Sequence, residues 1–287
     1  MKYEYIKSNS YEYGAKRLCE LIGVSRSGYY DWVNREPSAR DTANQILLGK
    51  IKRIFTEHKG RYGSPRIYAV LKRNGEPASK GRVERLMKKH QLVATRSKRH
   101  KRVYIQREQQ KPAQNYLARN FNASAPNKKW ASDITFIPTK QGYLYLATVV
   151  DLYSRAIVGW AMSARINGRL VLDALEMAIQ QRGMPKGVLV HSDQGSQYTA
   201  ELYREKLKEN EMICSMSRKG ECQDNAVAES FFHTLKEELV RDESFVSLHE
   251  AKQKIFKYIE VYYNRQRIHS TIGYEAPLVY ERMNAVA

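Results

Sequence analysis

The sequence is poor in the features that mark secreted and membrane proteins. Its 287 residues include three cysteines, which lie far apart without a Cys-x-x-Cys pair. This predicts neither a disulfide framework nor a zinc site, so we expect reduced thiols. The most apolar stretch, residues 144–162, is interrupted by Asp151 and Arg155 and falls short of the ~20 apolar residues of a membrane span. Because the polar N-terminus also lacks a signal-peptide core, we expect a cytoplasmic protein without membrane contact.

Acidic residues are scarce in the first part of the chain. The whole sequence has 49 Lys and Arg against 30 Asp and Glu, a formal net charge of +19. Residues 1–120 hold 28 of the basic residues and only 10 of the acidic ones, so the rest of the chain is almost neutral. The length suffices for two or three small domains. The charge distribution therefore predicts a half that binds a polyanion, joined to a half with another task.

Residues 1–40 are predicted to form a first, all-helical domain. Gly23 suits a left-handed turn between two helices, and Ser25 can cap the second helix, which carries Arg26. This pattern predicts a helix-turn-helix with Arg26 as a candidate DNA contact. A plain helical hairpin would have the same pattern.

Residues 41–95 are predicted to form a second, helix-turn-helix-like domain. The apolar side of its first helix is predicted to contain Ile46, Leu47, Ile51, Ile54 and Phe55. The last helix has a basic face that is a candidate surface for DNA. This face consists of Arg82, Arg85 and Lys89. A face that is merely solvated is the alternative, and the surplus of positive charge around it favours DNA.

Residues 96–122 are predicted to link the helical region to the rest of the chain. The run 96–111 has seven Lys or Arg and one Glu, with little helical periodicity. It therefore predicts a flexible or extended connector that lies along a phosphate backbone, whereas a solvated linker would take no part in binding. The candidate DNA contacts in this run are Lys98, Arg99, Lys101 and Arg102.

Residues 123–287 have the pattern of an α/β domain. Short apolar runs bounded by turn residues predict three consecutive strands, followed by a helix, a strand, a helix, a strand and a helix. This order predicts an RNase H-like core, in which a mixed five-stranded sheet is packed with helices.

Three acidic residues of this half are hard to explain as solvated surface. Asp133 lies inside an apolar strand, Asp193 follows a buried strand, and Glu229 lies one turn into a helix. Because a buried carboxylate is costly unless it is paired or bound to a metal, we expect the three to converge on one cation site. Carboxylates without a His or Cys cluster favour Mg²⁺ or Mn²⁺, and two such ions can activate an attacking hydroxyl at a phosphodiester.

Such a site needs no covalent nucleophile. His191 and Ser192 adjoin Asp193, but neighbours on a strand point to opposite faces, which disfavours a Ser/His pair. Asp151 is interpreted as structural, at the end of the second strand and paired with Arg155.

The spacing of these residues is more specific. Lys236 lies seven positions beyond Glu229, which places an ammonium two helical turns away on the same face.

The segments WASDITFI, HSDQGSQY and DNAVAESFFHTLK resemble the three catalytic blocks of DDE transposases and retroviral integrases. GVSRSGYYDW, RYGSPRIYAVL and YNRQRIHSTIGYEAP resemble the second-frame (OrfB) transposase subunit of the third insertion-sequence family of bacteria. The resemblance covers nearly the whole chain.

This resemblance implies an enzyme that nicks the ends of a DNA element with water and joins a 3′-hydroxyl to DNA. It implies that Asp133, Asp193 and Glu229 bind the metal and that Lys236 contacts a phosphate. The implied partners are double-stranded DNA, namely the terminal repeats and the target, and further copies of the chain. The family's first-frame subunit, or a frameshifted fusion with it, is a further implied partner, and the protein would be associated with the nucleoid when bound to DNA.

Three further residues are candidate DNA contacts. Asn225 lies four residues before Glu229 and either reaches the same face or caps the helix. Arg265 and Arg267 lie near the end of the last predicted helix.

Two alternative functions are compatible with the same sequence features. One is a catalytically silent DNA-binding regulator, and the other is an RNase H-fold nuclease that cuts without joining.

We predict that the basic connector contributes to DNA affinity through its charge. Replacing Lys98, Arg99, Lys101 and Arg102 together with Gln should flatten the dependence of log K on log salt, since each lost phosphate contact removes about 0.9 from the slope. Affinities measured between 50 and 200 mM salt on one duplex, about the range where such contacts dominate, test this. An unchanged slope would identify the run as a solvated linker.

Overall fold

The computed structural model describes residues 2–36, 38–94, 112–241 and 243–284. The chain divides into two compact units, Met1–Gly60 with Val70–Val93, and Arg61–Ala69 with Ala94–Ala287. In the described ranges, no helix is long and apolar enough to cross a membrane. The four candidate contacts of the basic connector, Lys98, Arg99, Lys101 and Arg102, lie outside the described residues.

The first unit is built from helices. They are α1 (Lys2–Tyr13), α2 (Ala15–Ile22), α3 (Arg26–Asn34), α4 (Ala39–Glu57), α5 (Ser64–Arg73, whose first residues belong to the second unit) and α6 (Lys80–Lys89). The predicted turn is present, because Gly23 ends α2 with φ 65° and the Ser25 hydroxyl accepts a hydrogen bond from Gly28 N. Ile6 of α1 is fully buried against α2 and α3, so this helix completes a small core.

One apolar position of this unit differs from the prediction. Ile46 is 59% exposed, whereas Leu47, Ile51 and Ile54 are buried. Consecutive residues of a helix point about 100° apart, so a face centred on Leu47 leaves Ile46 at its edge. The predicted burial of Ile46 is therefore wrong.

The second unit has a five-stranded mixed sheet in the order β3-β2-β1-β4-β5. Its strands are β1 (Lys129–Thr139), β2 (Gly142–Asp151), β3 (Ile157–Ser163), β4 (Leu189–Ser192) and β5 (Ile213–Met216). β1 to β3 form an antiparallel meander, and β4 and β5 pair in parallel with β1 and β4. The predicted RNase H-like architecture is confirmed.

Helices cover both faces of this sheet. They are α7 (Gly168–Gln181), α8 (Ser196–Thr199), α9 (Glu201–Glu209), α10 (Ala226–Leu235), α11 (Leu248–Lys257) and α12 (Pro277–Asn284). One core includes α7 and α9, and the other includes α10 and α11. α7 crosses β3 at Gly159, where an added Cβ would lie 2.2 Å from the carbonyl oxygen of Ala174. Only glycine permits this close packing.

Asp151 has the structural role expected of it, with other partners. It is fully buried, and its carboxylate accepts hydrogen bonds from the backbone N–H groups of Asn127 (2.8 Å) and Tyr153 (2.9 Å). These two bonds take the place of the expected pair with Arg155. The carboxylate therefore fixes the β2–β3 turn.

A buried charged cluster connects the segment Arg61–Ala69 to the end of the second unit. The Tyr62 hydroxyl accepts a hydrogen bond from Ile268 N at 3.0 Å. Arg267 is bound to the carboxylate of Glu238 at 2.9 Å, and Arg66 lies 3.9 Å from the same carboxylate. Removing one partner of an ion pair this well enclosed strongly destabilises the folded protein, because the other charge stays buried without a partner.

Arg267 is consequently not available to DNA. Its side chain is 4% exposed, and its guanidinium donates hydrogen bonds to Glu238 and to the ring of His269. The interpretation of Arg267 as a DNA contact is replaced by a structural role.

His269 should make the stability of the second unit depend on pH. Burial, followed by the charges of Arg267, Arg66 and Arg155, lowers the pKa of His269 to about 2. The unfolded chain therefore binds a proton near pH 6.5 that the folded chain does not bind. As the pH is lowered from 6.5, the free energy of unfolding should then decrease by up to about 1.4 kcal/mol per pH unit.

The variant His269→Gln keeps an acceptor for Arg267 and removes this proton. Urea unfolding at pH 7, 6 and 5 should give a shallower decline for the variant than for the wild type. Parallel pH profiles would contradict the assignment, since all other titrating groups are common to both proteins.

Candidate active site

The parallel pairing of β1 with β4 brings two of the predicted acids together. Trp130 lies opposite Val190 and Ala131 opposite His191. The same offset, continued by two residues, sets Asp133 beside Asp193 at the carboxyl end of β4. This edge is where α/β sheets present ligands. Asp133 is 7% exposed.

Local hydrogen bonds hold both aspartates. Asp133 Oδ1 accepts from Ile134 N at 2.8 Å, and Asp193 Oδ1 accepts from Gly195 N at 2.9 Å. A Cβ at Gly195 would lie 3.0 Å from Asp193 Oδ1, tighter than side chains normally allow. The glycine after Asp193 therefore permits the turn that orients this carboxylate.

Tyr198 is a site residue that the sequence pattern did not single out. It is buried, and its hydroxyl lies 3.1 Å from Ser132 Oγ. Burial raises the pKa of Tyr198 well above 10, and the negative charges of Asp133 and Asp193 raise it further. One phenol is therefore near enough to both carboxylates for their charges to act on it, a proximity that only the fold reveals.

Asn225 attaches α10, the helix that carries Glu229, to β1, the strand that carries Asp133. Its side chain forms no cap hydrogen bond, contrary to one of the two interpretations, and its Nδ2 donates to Ser132 O at 3.0 Å. This bond brings the start of α10 to β1 beside Asp133. Glu229, four residues further, is half-buried on the first turn of that helix. Asn225 is itself 3% exposed, which leaves little of it for DNA.

Lys236 follows α10 on the same helical face as Glu229. Its helical backbone (φ −63°, ψ −40°) continues α10 into a segment of wider turns, Lys236–Val240. Lys236 Nζ lies 4.8 Å from the ring centre of Phe136, which belongs to β1. The ammonium thus lies beside the strand that carries Asp133.

Asp224 fixes the loop that leads into α10. Its buried carboxylate accepts hydrogen bonds from Arg119 Nε (2.7 Å), Asn115 Nδ2 (2.9 Å) and Arg218 N (3.0 Å). The Arg218 guanidinium, which pairs with it as well, is the largest cause holding the pKa of Asp224 well below its usual range. No local pattern marked Asp224, because its partners lie up to 109 positions away.

His191 and Ser192 do not form a nucleophile and base. Ser215 Oγ accepts two backbone hydrogen bonds, from Tyr116 N and Leu117 N, so its proton is donated to His191 Nδ1. Burial lowers the pKa of His191 to about 4, which keeps the ring neutral. Ser192 Oγ donates to Asp193 O, away from this ring.

The donor set at this edge has the chemistry of a hard-cation site. Over the described part of the chain, no group of three or more His, Cys, Asp or Glu side chains is already arranged to hold a metal ion. The oxygen donors nevertheless suit Mg²⁺ or Mn²⁺. Asn225 Oδ1 is buried without a hydrogen-bond partner among the described residues, and water molecules around a cation could satisfy it.

The predicted basic face lines a cleft within the first unit. The cleft is about 460 Å³ and lies between α4 and α6. Arg82 Nε donates to Asn44 Oδ1 at 2.8 Å, which holds the guanidinium at the cleft. Basic residues of the lining are Arg40, Arg82, Arg85 and Lys89. The other candidate contacts, Arg26 on α3 and Arg265 in the second unit, are exposed.

Comparisons with known proteins identify the family. Two models described as integrase core domain match residues 123–222 and 229–284, and an HTH-like domain matches residues 42–101. The transposase InsF for insertion sequence IS3A of Escherichia coli K12 is 40% identical over 286 residues, 99% of each chain. The chain belongs to the IS3-family transposases. This transposase is also 44% identical to the transposase for insertion sequence element IS904 of Lactococcus lactis, over 88% of its own length and 100% of that protein.

Among solved structures, the chain is similar to the HTLV-2 integrase catalytic core domain in complex with magnesium. The identity is 16%, the TM-score is 0.42, and the match covers 55% of this transposase and 98% of that chain. Its family and its integrase core domain make this transposase an enzyme of the polynucleotidyl-transferase type.

We predict that Asp224 stabilises the second unit much more than a neighbouring surface acid does. Asp224→Asn removes charge-assisted hydrogen bonds from a buried position and should lower the free energy of unfolding by about 2–4 kcal/mol. Glu221→Gln is the matched control, because Glu221 is an exposed partner of the same Arg119. Its loss should be below about 1 kcal/mol. Equal urea midpoints for the two variants would refute the role given to Asp224.

Proposed function

We propose that this transposase cleaves DNA at the ends of its insertion sequence and joins the resulting 3′-hydroxyl to target DNA, with a divalent cation. The observation that carries the proposal is the β1–β4 register, whose offset, continued by two residues, supports a position of Asp133 beside Asp193. The tie from Asn225 to Ser132 adds the helix that bears Glu229. Both observations support a convergence of the three acids, which come from separate parts of the sequence, at one sheet edge.

Asp133, Asp193 and Glu229 would hold Mg²⁺ or Mn²⁺, and we propose two ions. When bound, such ions supply positive charge to the phosphodiester and favour an ionised attacking hydroxyl. The chain itself orients the carboxylates through Ile134 N and Gly195 N. Next to Asp133, the buried hydroxyls of Ser132 and Tyr198 lie 3.1 Å apart.

Lys236 would hold a phosphate of the substrate strand. An ammonium two turns beyond Glu229 contacts the backbone of DNA without regard to sequence. The proposed contacts outside the site are Arg26, Arg82, Arg85, Lys89, Lys98, Arg99, Lys101, Arg102 and Arg265, and we keep Asn225 as a positioning residue of the site. Their positive charge would bind double-stranded DNA, both terminal repeats and target.

Two element ends have to be held together for joining, so we propose that this transposase acts as a homo-multimer. Its relatives are named for insertion sequences, which supports double-stranded DNA as the substrate. A first-frame subunit, or a frameshifted fusion with it, would add the recognition of the ends.

A strand-transfer assay tests the proposed reaction. Asp133→Asn, Asp193→Asn and Glu229→Gln should each reduce joining on the order of 1,000-fold or more, because several kcal/mol of transition-state stabilisation are lost. Glu243→Gln, which alters a surface acid paired with Lys254, should retain activity. The assay uses labelled DNA with the element ends, with Mg²⁺ or with EDTA.

A second readout separates metal binding from activity. Free Mn²⁺ measured by electron paramagnetic resonance should fall with the wild type and with Glu243→Gln, and much less with the three acid variants. DNA that is bound but neither cut nor joined would support a silent regulator, and cutting without joining would support a nuclease. A Glu229→Gln variant with wild-type joining would refute the acid assignment.

A further inference from the structure

The β1–β2 hairpin presents two large aromatic side chains to solvent. Phe136 is 52% exposed and Tyr143 is 55% exposed. Their ring centres lie 5.2 Å apart with an interplanar angle of 77°, an edge-to-face pair. Adjacent exposed aromatics on one surface are typical of a binding site.

These rings are not needed to anchor the hairpin. Ile137 and Leu144 lie opposite each other in the β1–β2 register and are fully buried. Because side chains alternate along a strand, Phe136 and Tyr143 face the other way. The hairpin is therefore packed by one face, and the aromatic face is available for another task.

The aromatic pair is close to the candidate active site. Phe136 is three residues beyond Asp133 on the same strand, about 10 Å along it. Lys236 Nζ lies 4.8 Å from the centre of the Phe136 ring, and Lys236 is two helical turns from Glu229. Alternation puts the Phe136 ring on the other face of β1 from Asp133, and Lys236 links this ring to the helix that bears Glu229.

We propose that Phe136 and Tyr143 form a platform on which an unpaired nucleobase at the DNA end stacks, while Lys236 binds the adjoining phosphate. This rests on the proposed function and adds a contact to the substrate strand. A nucleotide combines a planar ring with an anionic group, which is the complement of the Phe136 ring beside an ammonium. Stacking on aromatic side chains is tolerant of sequence, because every base has a π face.

Such a platform has a direct use beside a cleavage site. Holding the last base out of the duplex keeps the end open, and Lys236 then holds its backbone on the side of the helix that bears Glu229. The free energy of stacking offsets the cost of unpairing the terminal base pair.

Binding measured in EDTA tests the platform without catalysis. The probes are two duplexes carrying the element's terminal repeat and a short single-stranded extension, with normal bases in one and abasic residues in the other. The wild type should bind the base-bearing extension about 5- to 100-fold more tightly. Phe136→Leu and Tyr143→Leu should lose most of this preference, whereas Phe256→Leu, which alters an exposed aromatic of α11, should keep it.

The possible results are distinct. Equal affinity of the wild type for both probes, or full preference in Phe136→Leu and Tyr143→Leu, would overturn the platform. Glu229→Gln should keep the preference, because the acids take no part in stacking. A wild type that prefers the base-bearing probe but never joins DNA would refute the proposed function and leave the platform standing. Unchanged circular dichroism and thermal midpoints of the leucine variants would confirm that they are folded.

Discussion

The parallel pairing of β1 with β4 is the interaction on which the candidate site depends. Two adjacent carboxylates repel each other, so this arrangement is unfavourable unless the fold enforces it. The ladder hydrogen bonds and the buried side chains around Trp130 and Val190 impose it. Backbone N–H groups at Ile134 and Gly195 stabilise the negative charges that the register has brought together.

The third acid cannot be positioned by the sheet, because it lies on a helix. Hydrogen bonds of side chains position this helix, in place of the backbone hydrogen bonds that position the strands. Asn225 ties the start of α10 to β1, and Asp224 secures the preceding loop to Arg119 and Arg218. Two consecutive residues thus attach the helix on two sides.

Much of the second unit could be predicted from its sequence. Asp133 was expected inside an apolar strand, and this strand is β1, Lys129–Thr139. The family resemblance seen in the sequence rests on motifs of the same kind, which are local. The acids could be singled out because carboxylates are unusual in apolar runs. Their roles in metal binding remain proposals.

Long-range partners could not be predicted. Arg267 resembles a DNA contact in a basic segment, yet Glu238, 29 positions earlier, holds it inside the unit. Tyr198 belongs to a recognised motif, but its proximity to both aspartates depends on how β1 and β4 pair. Ile46 shows a smaller failure, since a helical stripe read from sequence is wider than the face that the neighbouring helices cover.

The segment Arg61–Ala69 determines where the polypeptide can be divided into fragments that fold. The family models divide the chain into a helical match that ends at residue 101 and a core match that begins at residue 123. By its contacts, however, this segment belongs to the second unit. A fragment that starts at the core boundary would lose Tyr62 and Arg66, and would expose Ile268 N and the Glu238–Arg267 pair to water. The boundary between the family matches is therefore not a boundary for folding, because the second unit includes a stretch of the helical match.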